Sequence, residues 1–294
     1  MTEIKKEKEY SVLTPNFDVR SKNGIIKAYT NEIYSLTIRL FIQSWRRPSL
    51  LITGIIQPLL WLLLFSALFQ NAPIELFTST TRYSDFISSG IIVFTAFTSA
   101  LNAGLPLIFD REFGFFNRIL SSHLYSRYSI ILSSSINILF SSFIQVASII
   151  FISWLLGNKI PSINNGLLII LVLFLLSNSV TSLSLTLAFI LPGHIEMLAC
   201  ILIINLPLLF SSTALAPLVF MPSWLQILAS VNPLSYAIEM IRYAYLHESY
   251  HYSSVVINTL WGSINTGGII AILSLVNILS FVLSYKLISS KFED

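Results

Sequence analysis

Apolar residues run along this chain in long blocks that carry no formal charge. No Asp, Glu, Lys or Arg occurs from Pro48 to Ile74, Phe86 to Phe109, Tyr128 to Asn158, Ile160 to Ile195, Met197 to Ile238, or Ser249 to Tyr285. Each block exceeds the roughly 20 apolar residues that a helix needs to cross the hydrocarbon core of a bilayer. The pattern predicts an all-α, polytopic membrane protein with six transmembrane helices, at about 49–69, 87–109, 129–155, 167–190, 197–220 and 268–288. Pro58 and Pro106 each remove a backbone hydrogen bond that lipid cannot replace but a neighbouring helix can, so kinks are expected there.

Between the blocks the periodicity changes. Residues 1–28 are polar and aperiodic and read as a flexible tail preceding a membrane domain over 29–294. Tyr29, Ile33, Leu36 and Leu40 then recur at helical spacing, which predicts an interfacial helix. Trp45, Arg46 and Arg47 follow, and their apolar bodies and polar tips suit the headgroup layer. From Asp110 to Tyr128, Phe109, Phe113, Phe116 and Leu120 fall on one helical stripe, with Arg111 and Arg118 together on another face. This predicts a short helix at the inner membrane surface with its charged side open to a partner. Met221 to Gly267 is too long for a simple turn. Pro222 and the pair Asn232-Pro233 mark helix starts, because Asn accepts an orphan amide proton and Pro has none to satisfy. Short helices are therefore expected near 223–230 and 234–246, dipping back into the membrane, with Glu239 and Arg242 neutralising each other across one turn.

Charge composition sharpens the picture. Of the 294 residues 54% are apolar and 11% charged, against about a quarter charged in a soluble domain, which argues against a soluble enzyme. The net charge of +3 belongs to the first 47 residues, with nine basic and five acidic groups against eight and nine in the remainder. That stretch has neither alternating aromatics nor a basic helix face, so nucleic acid is not an expected partner. Counted by side, fourteen Lys and Arg fall with the two termini and three (Arg82, Lys159 and Arg242) opposite. The positive-inside rule then puts both termini in the cytoplasm-equivalent compartment. No cleavable leader is expected, since the first apolar run starts near Ser49. The single cysteine, Cys200, reads as a small buried side chain.

Candidate chemistry is sparse. His247-Glu248-Ser249-Tyr250-His251 has the H-E-x-x-H spacing that on a helix sets two imidazoles and a carboxylate around zinc. Downstream a third ligand is hard to supply, since no His follows His251 and Glu293 and Asp294 lie across a span, which leaves upstream candidates, notably Glu239. None of the eleven glycines precedes a Lys, so a phosphate-cradling P-loop is absent from the sequence. Apart from Lys286 at the end of the last one, the expected spans hold no acidic or basic side chain that could bind a driving ion. Asn102, Asn137, Gln145, Asn178 and Asn205 are their stronger hydrogen-bonding groups, suited to locking helices together. Energy for directed transport is then expected from a partner motor.

The order of elements resembles the ABC-2 type permeases, the membrane subunits of ATP-binding-cassette exporters. Three passages carry the likeness: Arg46-Arg47-Pro48 leading into Pro58-Leu59-Leu60-Trp61; Phe109-Asp110-Arg111-Glu112 with Gly114 and Arg118; and Asn232-Pro233-Leu234-Ser235-Tyr236-Ala237 continuing to Arg242. The chain is most similar to the branch encoded in algal plastids, itself similar to cyanobacterial drug-resistance-type permeases. This resemblance implies a homodimer working with two cassette ATPases, ATP and Mg bound by those partners and no cofactor in this chain. It implies a cargo path at the dimer interface, chiefly from the second and fifth spans. It assigns contact with the ATPase to Asp110, Arg111, Glu112, Gly114 and Arg118, and outer-gate closure to Asn232, Pro233 and Tyr236. It also implies a multi-pass protein in a plastid membrane with stromal termini, or else in a bacterial cytoplasmic membrane, in contact with lipid. No cargo-reading motif can be matched. A membrane metalloprotease using His247, Glu248 and His251, or a non-transporting assembly factor, stands as the alternative.

Overall fold

Long apolar helices side by side, joined by short helices at their ends, make up this fold. A computed structural model describes residues 22–46, 48–69, 83–121, 126, 128–158, 162–247 and 252–293. In chain order the helices are α1 (Lys22–Arg46), α2 (Pro48–Leu68), α3 (Tyr83–Leu101), α4 (Gly104–Glu112), α5 (Phe115–Ser121), α6 (Tyr128–Leu155), α7 (Ile163–Ile190), α8 (His194–Phe210), α9 (Ser223–Val231), α10 (Pro233–Leu246) and α11 (Thr266–Glu293). An antiparallel hairpin, β1 (Val255–Thr259) with β2 (Gly262–Asn265), precedes α11. The architecture is all-α.

Among the described residues, five segments are long and apolar enough to cross a membrane: Leu51–Leu68, Tyr83–Glu112, Tyr128–Leu155, Asn165–Ile190 and Thr266–Ile288. They coincide with five of the six expected spans. The remaining one is shorter than 197–220: α8 has 17 residues and stops at Phe210, where Ser212 turns its hydroxyl onto the Leu209 carbonyl at 2.6 Å. Seventeen residues rise about 25 Å. The interfacial helix is longer than expected, α1 starting at Lys22 within the polar stretch read as tail, because extending a nucleated helix costs little.

At the centre lies α3, with 15 of its 19 residues buried among α2, α6, α7 and α10. Only Ser84, Asp85, Thr98 and Ser99 of α3 surface even partly. The part of the second span formed by α3 is therefore largely enclosed by the chain's own helices. By contrast α8 buries one stripe, Met197, Ile201, Asn205 and Leu209, and leaves most of its circumference open. The outer surfaces of α2, α6 and α11 are Leu, Ile and Phe, the composition that lipid tails accept.

Of the five amides expected to lock helices, Asn178 and Asn205 bond across helices, whereas Asn102 donates to the Thr98 carbonyl four residues earlier, as many span hydroxyls do within their own helix. Asn178 on α7 donates to the Asn277 Oδ1 of α11 at 3.3 Å, Asn277 donates to the Leu175 carbonyl at 3.0 Å, and Ser182 meets Ser284 at 2.8 Å. Each such bond is worth about 0.6 kcal/mol in a membrane helix pair. The expected kink at Pro106 is a full break at Asn102–Ala103, between α3 and α4. A proline ring clashes with the carbonyl four residues earlier, here that of Asn102. Ser184 on α7 repairs the gap: its hydroxyl donates to the Leu101 carbonyl at 2.6 Å and accepts from the Gly104 N–H at 2.9 Å. Gly104 has no alternative residue, since a Cβ there would lie 2.5 Å from the Ser184 carbonyl oxygen. Across Pro58, α2 runs unbroken.

Candidate functional site

The charged passage after the second span forms an elbow whose three successive residues hold three different helices. Asp110, on the last turn of α4, pairs with Arg39 of α1 at 3.3 Å. Arg111 donates to the Ala188 carbonyl and, at 3.3 Å, to the Leu191 carbonyl, the orphan acceptors at the end of α7. A guanidinium suits that place because the helix end carries partial negative charge. Glu112 accepts the His194 backbone N–H at 2.7 Å, and its second oxygen meets the His194 ring nitrogen. The carboxylate thus sits on the positive end of α8. It reaches that position because Gly193 has no side chain; a Cβ there would lie 2.6 Å from Glu112 Oε1.

Gly114 turns the chain out of α4. Its φ of +73° with open space around it is a backbone state that other L-residues enter only at a cost. The turn divides the expected aromatic stripe. Phe113 is 78% exposed, whereas Phe116 is buried with its ring 5.7 Å from Phe189. Likewise Arg111 is turned inward onto α7, and Arg118 stays exposed on α5. The single surface helix with Arg111 and Arg118 on one face is therefore two helices with those residues on opposite sides, because helical periodicity ends where φ turns positive. The Arg39 guanidinium lies 5.0 Å over the Phe115 ring, adding a cation–π contact between α1 and α5.

At the opposite end of the bundle, Asn232 serves two helices at once. Its Oδ1 accepts the Leu234 N–H at 3.0 Å, capping α10, while Nδ2 donates to the Leu208 and Ser211 carbonyls at 2.9 and 3.3 Å, closing α8. Pro233 occupies the first helical position, as its missing N–H favours. The Tyr236 hydroxyl donates to the Ser230 carbonyl at 2.5 Å and ties α10 to α9. Arg242 pairs with Glu239 as expected, donates to the Thr213 carbonyl at 2.8 Å and lies 3.7 Å over the Phe86 ring. Its charge is thereby matched inside the fold, and α10 is enclosed by α3, α7 and α11.

The family profile described as ABC-2 type transporter matches residues 31–246. The chain belongs to that family. Its curated relatives include proteins named transport permease ycf38: from Porphyra purpurea, 57% identical over 248 residues, covering 84% of this chain and 85% of that one; from Pyropia yezoensis, 54% identical over 260 residues, covering 88% and 89%; and from Cyanophora paradoxa, 50% identical over 264 residues, covering 90% and 91%. These are red algae and a glaucophyte. An ABC-2 transporter membrane subunit is thus the class of molecule to which the geometry belongs.

Within this ABC-2 fold, the expected coupling residues gather in the elbow and the expected gate residues in the α8–α9–α10 junction. Sequence reasoning missed the residues that hold the elbow. Arg39, Gly193 and His194 lie about 70 to 80 positions away in sequence, beyond the range in which helical periodicity reports contact. The pair Pro192-Gly193, a dipeptide that marks a turn, is the local sequence signal at that position. The proposed zinc motif fares poorly: α10 ends at Leu246, and His247 has extended backbone with its ring stacked on Tyr243. Glu248 and His251 lie outside the described residues. The motif therefore does not continue α10.

Proposed function

We propose that this chain is the membrane subunit of an ATP-driven exporter in a plastid membrane, acting as a homodimer with a separate cassette ATPase. α8 supplies the sixth crossing, and both termini lie on the stromal side with the elbow, where the excess of Lys and Arg belongs. ATP and Mg are held by the partner. Closure of the ATPase dimer on nucleotide pushes the exposed tip of the elbow, at Phe113 and Arg118. Asp110, Arg111 and Glu112 pass that displacement to α1, α7 and α8 together. α8, loosely packed on one stripe, is the helix whose movement opens the cargo path between two copies. Asn232, Pro233 and Tyr236 hold its far end and resist opening until the push arrives.

The observation that carries this reading is the elbow itself: an exposed aromatic and cationic tip joined through three consecutive side chains to three helices. An exposed ion pair contributes little energy, so docking rests on Phe113 entering a groove of the motor, with Arg118 setting orientation. The test is the double substitution Phe113→Asp with Arg118→Glu in the reconstituted complex. Membrane insertion and thermal stability stay at wild-type levels, while ATP hydrolysis no longer responds to the membrane subunit. An unchanged response to the membrane subunit refutes the coupling role.

A further inference from the structure

One stripe of α1 faces the elbow across a groove, and only Arg39 of it reaches over to hold Asp110. Ile38, Arg39, Ile42, Gln43 and Arg46 share one face of the helix and, with Asp110 and Phe115 opposite, line an open groove of about 720 Å³, in which the Asp110 carboxylate is matched by Arg39. That is within the size range of small-molecule sites. The polar capacity of the stripe is unspent. Arg39 gives one guanidinium nitrogen to Asp110, but its Nε is buried with no hydrogen-bond partner. The Arg46 guanidinium and the Gln43 amide make no hydrogen bond or ion pair among the described residues. Arg39 and Arg46 are seven residues apart, so their backbones are about 10 Å apart along the helix axis on one face.

Between and beside these donors lie Ile38 and Ile42, 38% and 47% exposed, and Trp45, 85% exposed, stands next to Arg46. A ligand that satisfies the stripe must offer several anionic oxygens to the guanidiniums and amide, and hydrocarbon to the isoleucines. A free phosphate answers only the first demand. A protein carboxylate would also leave the isoleucines in water. A phosphodiester headgroup with acyl chains answers both, and α1 has the amphipathic character of a helix at the depth where such headgroups reside.

We propose that the groove between α1 and α5 binds the headgroup of an anionic phospholipid, the phosphate bridging Arg39 and Arg46 with Gln43 donating to it, and the acyl chains lying on Ile38 and Ile42. Because Arg39 also holds Asp110, a lipid in this groove braces the α1 arm of the elbow and makes its stiffness depend on the charge of the surrounding leaflet.

The test uses the full-length protein in nanodiscs of mixed phosphatidylcholine and phosphatidylglycerol, with native mass spectrometry counting lipids that stay bound. Wild type retains phosphatidylglycerol preferentially, and Arg46→Gln lowers that preference about fivefold, the effect of one basic residue at a charged leaflet. Arg39→Gln does the same. Should Arg39→Gln fail to fold, Arg46→Gln stands alone, since its exposed side chain has no contact to lose. Equal preference in wild type and Arg46→Gln overturns the proposal. So does displacement of the lipid by millimolar inorganic phosphate, which would make the groove a free-anion site. So does loss of ATPase binding in Arg46→Gln with lipid retention unchanged, which would make it a protein-docking surface. None of these readouts requires transport.

Discussion

Asn232 allows the two-sided cap at the α8–α10 junction to be tested against ordinary helix capping. Substitution by Ala removes the acceptor for the Leu234 N–H and the donor to the Leu208 and Ser211 carbonyls. Loss of an N-cap costs about 1 kcal/mol, and a buried carbonyl left without its donor costs about 1 to 3 kcal/mol. Asn232 is only 3% exposed, so water does not replace these bonds, and Asn232→Ala is expected to cost about 3 kcal/mol in all. At about 2 °C or more per kcal/mol for a chain of this size, the melting temperature falls by about 6 °C. Asn232→Asp separates the two halves of the role. Asp caps a helix as well as Asn does, so an ordinary cap predicts no loss. Here the Asp carboxylate faces two carbonyl oxygens that it cannot satisfy, and the loss at least equals that of Ala. The assay is thermal unfolding of the reconstituted protein read by a thiol-reactive dye on Cys200, the sole cysteine, which lies on α8 itself. An Asp variant that melts with wild type while the Ala variant does not would refute the double cap.

Other consequences follow from the same contacts. Arg242→Met leaves Glu239 without its cation inside the fold and is expected to cost about 3 to 5 kcal/mol; adding Glu239→Gln recovers roughly half of that loss, measured by the same melting assay. Ser184→Ala strands the Leu101 carbonyl and the Gly104 N–H at the break in the second span, lowering stability by about 2 kcal/mol or more, whereas Ser184→Thr, which keeps the hydroxyl, loses less. Gly193→Ala drives the Glu112 carboxylate off the start of α8; hydrogen exchange is expected to rise in the first turn of α8 and remain unchanged in α3.

Much of this architecture could be read in the sequence, for a simple reason. A span in lipid must be long, apolar and nearly free of charge, so the blocks at α2, α3, α6, α7 and α11 announce themselves. The starts of α9 and α10 were also legible, because Pro222 and Asn232-Pro233 act on the backbone locally. The Glu239–Arg242 pair was readable from a spacing of three on one helix. Elsewhere the physics is non-local. The break attributed to Pro106 lies four residues earlier, where the ring meets the Asn102 carbonyl, and its repair comes from Ser184 on another helix. The elbow residues were legible as a charged passage, but the periodicity that joined Phe113 to Phe116 assumed a continuous helix. Gly114, standing between two periodic runs, was the sign that it was not. The length of α8 was overestimated because the apolar run continues through Ala214 and Leu215, while the hydroxyls of Ser211 and Ser212 already compete for the backbone.

The central claim is that force from a separate ATPase enters at the tip of the elbow. It is tested most directly by site-specific cross-linking in the intact complex, with Phe113→Cys placed in a Cys200→Ser background and a short bifunctional reagent. The account predicts a cross-link from position 113 to the cassette ATPase that forms in the complex, and ATP hydrolysis that no longer responds to the membrane subunit once the bond is made. A position 113 that stays free of the ATPase, in a complex whose hydrolysis still responds to the membrane subunit, would contradict it.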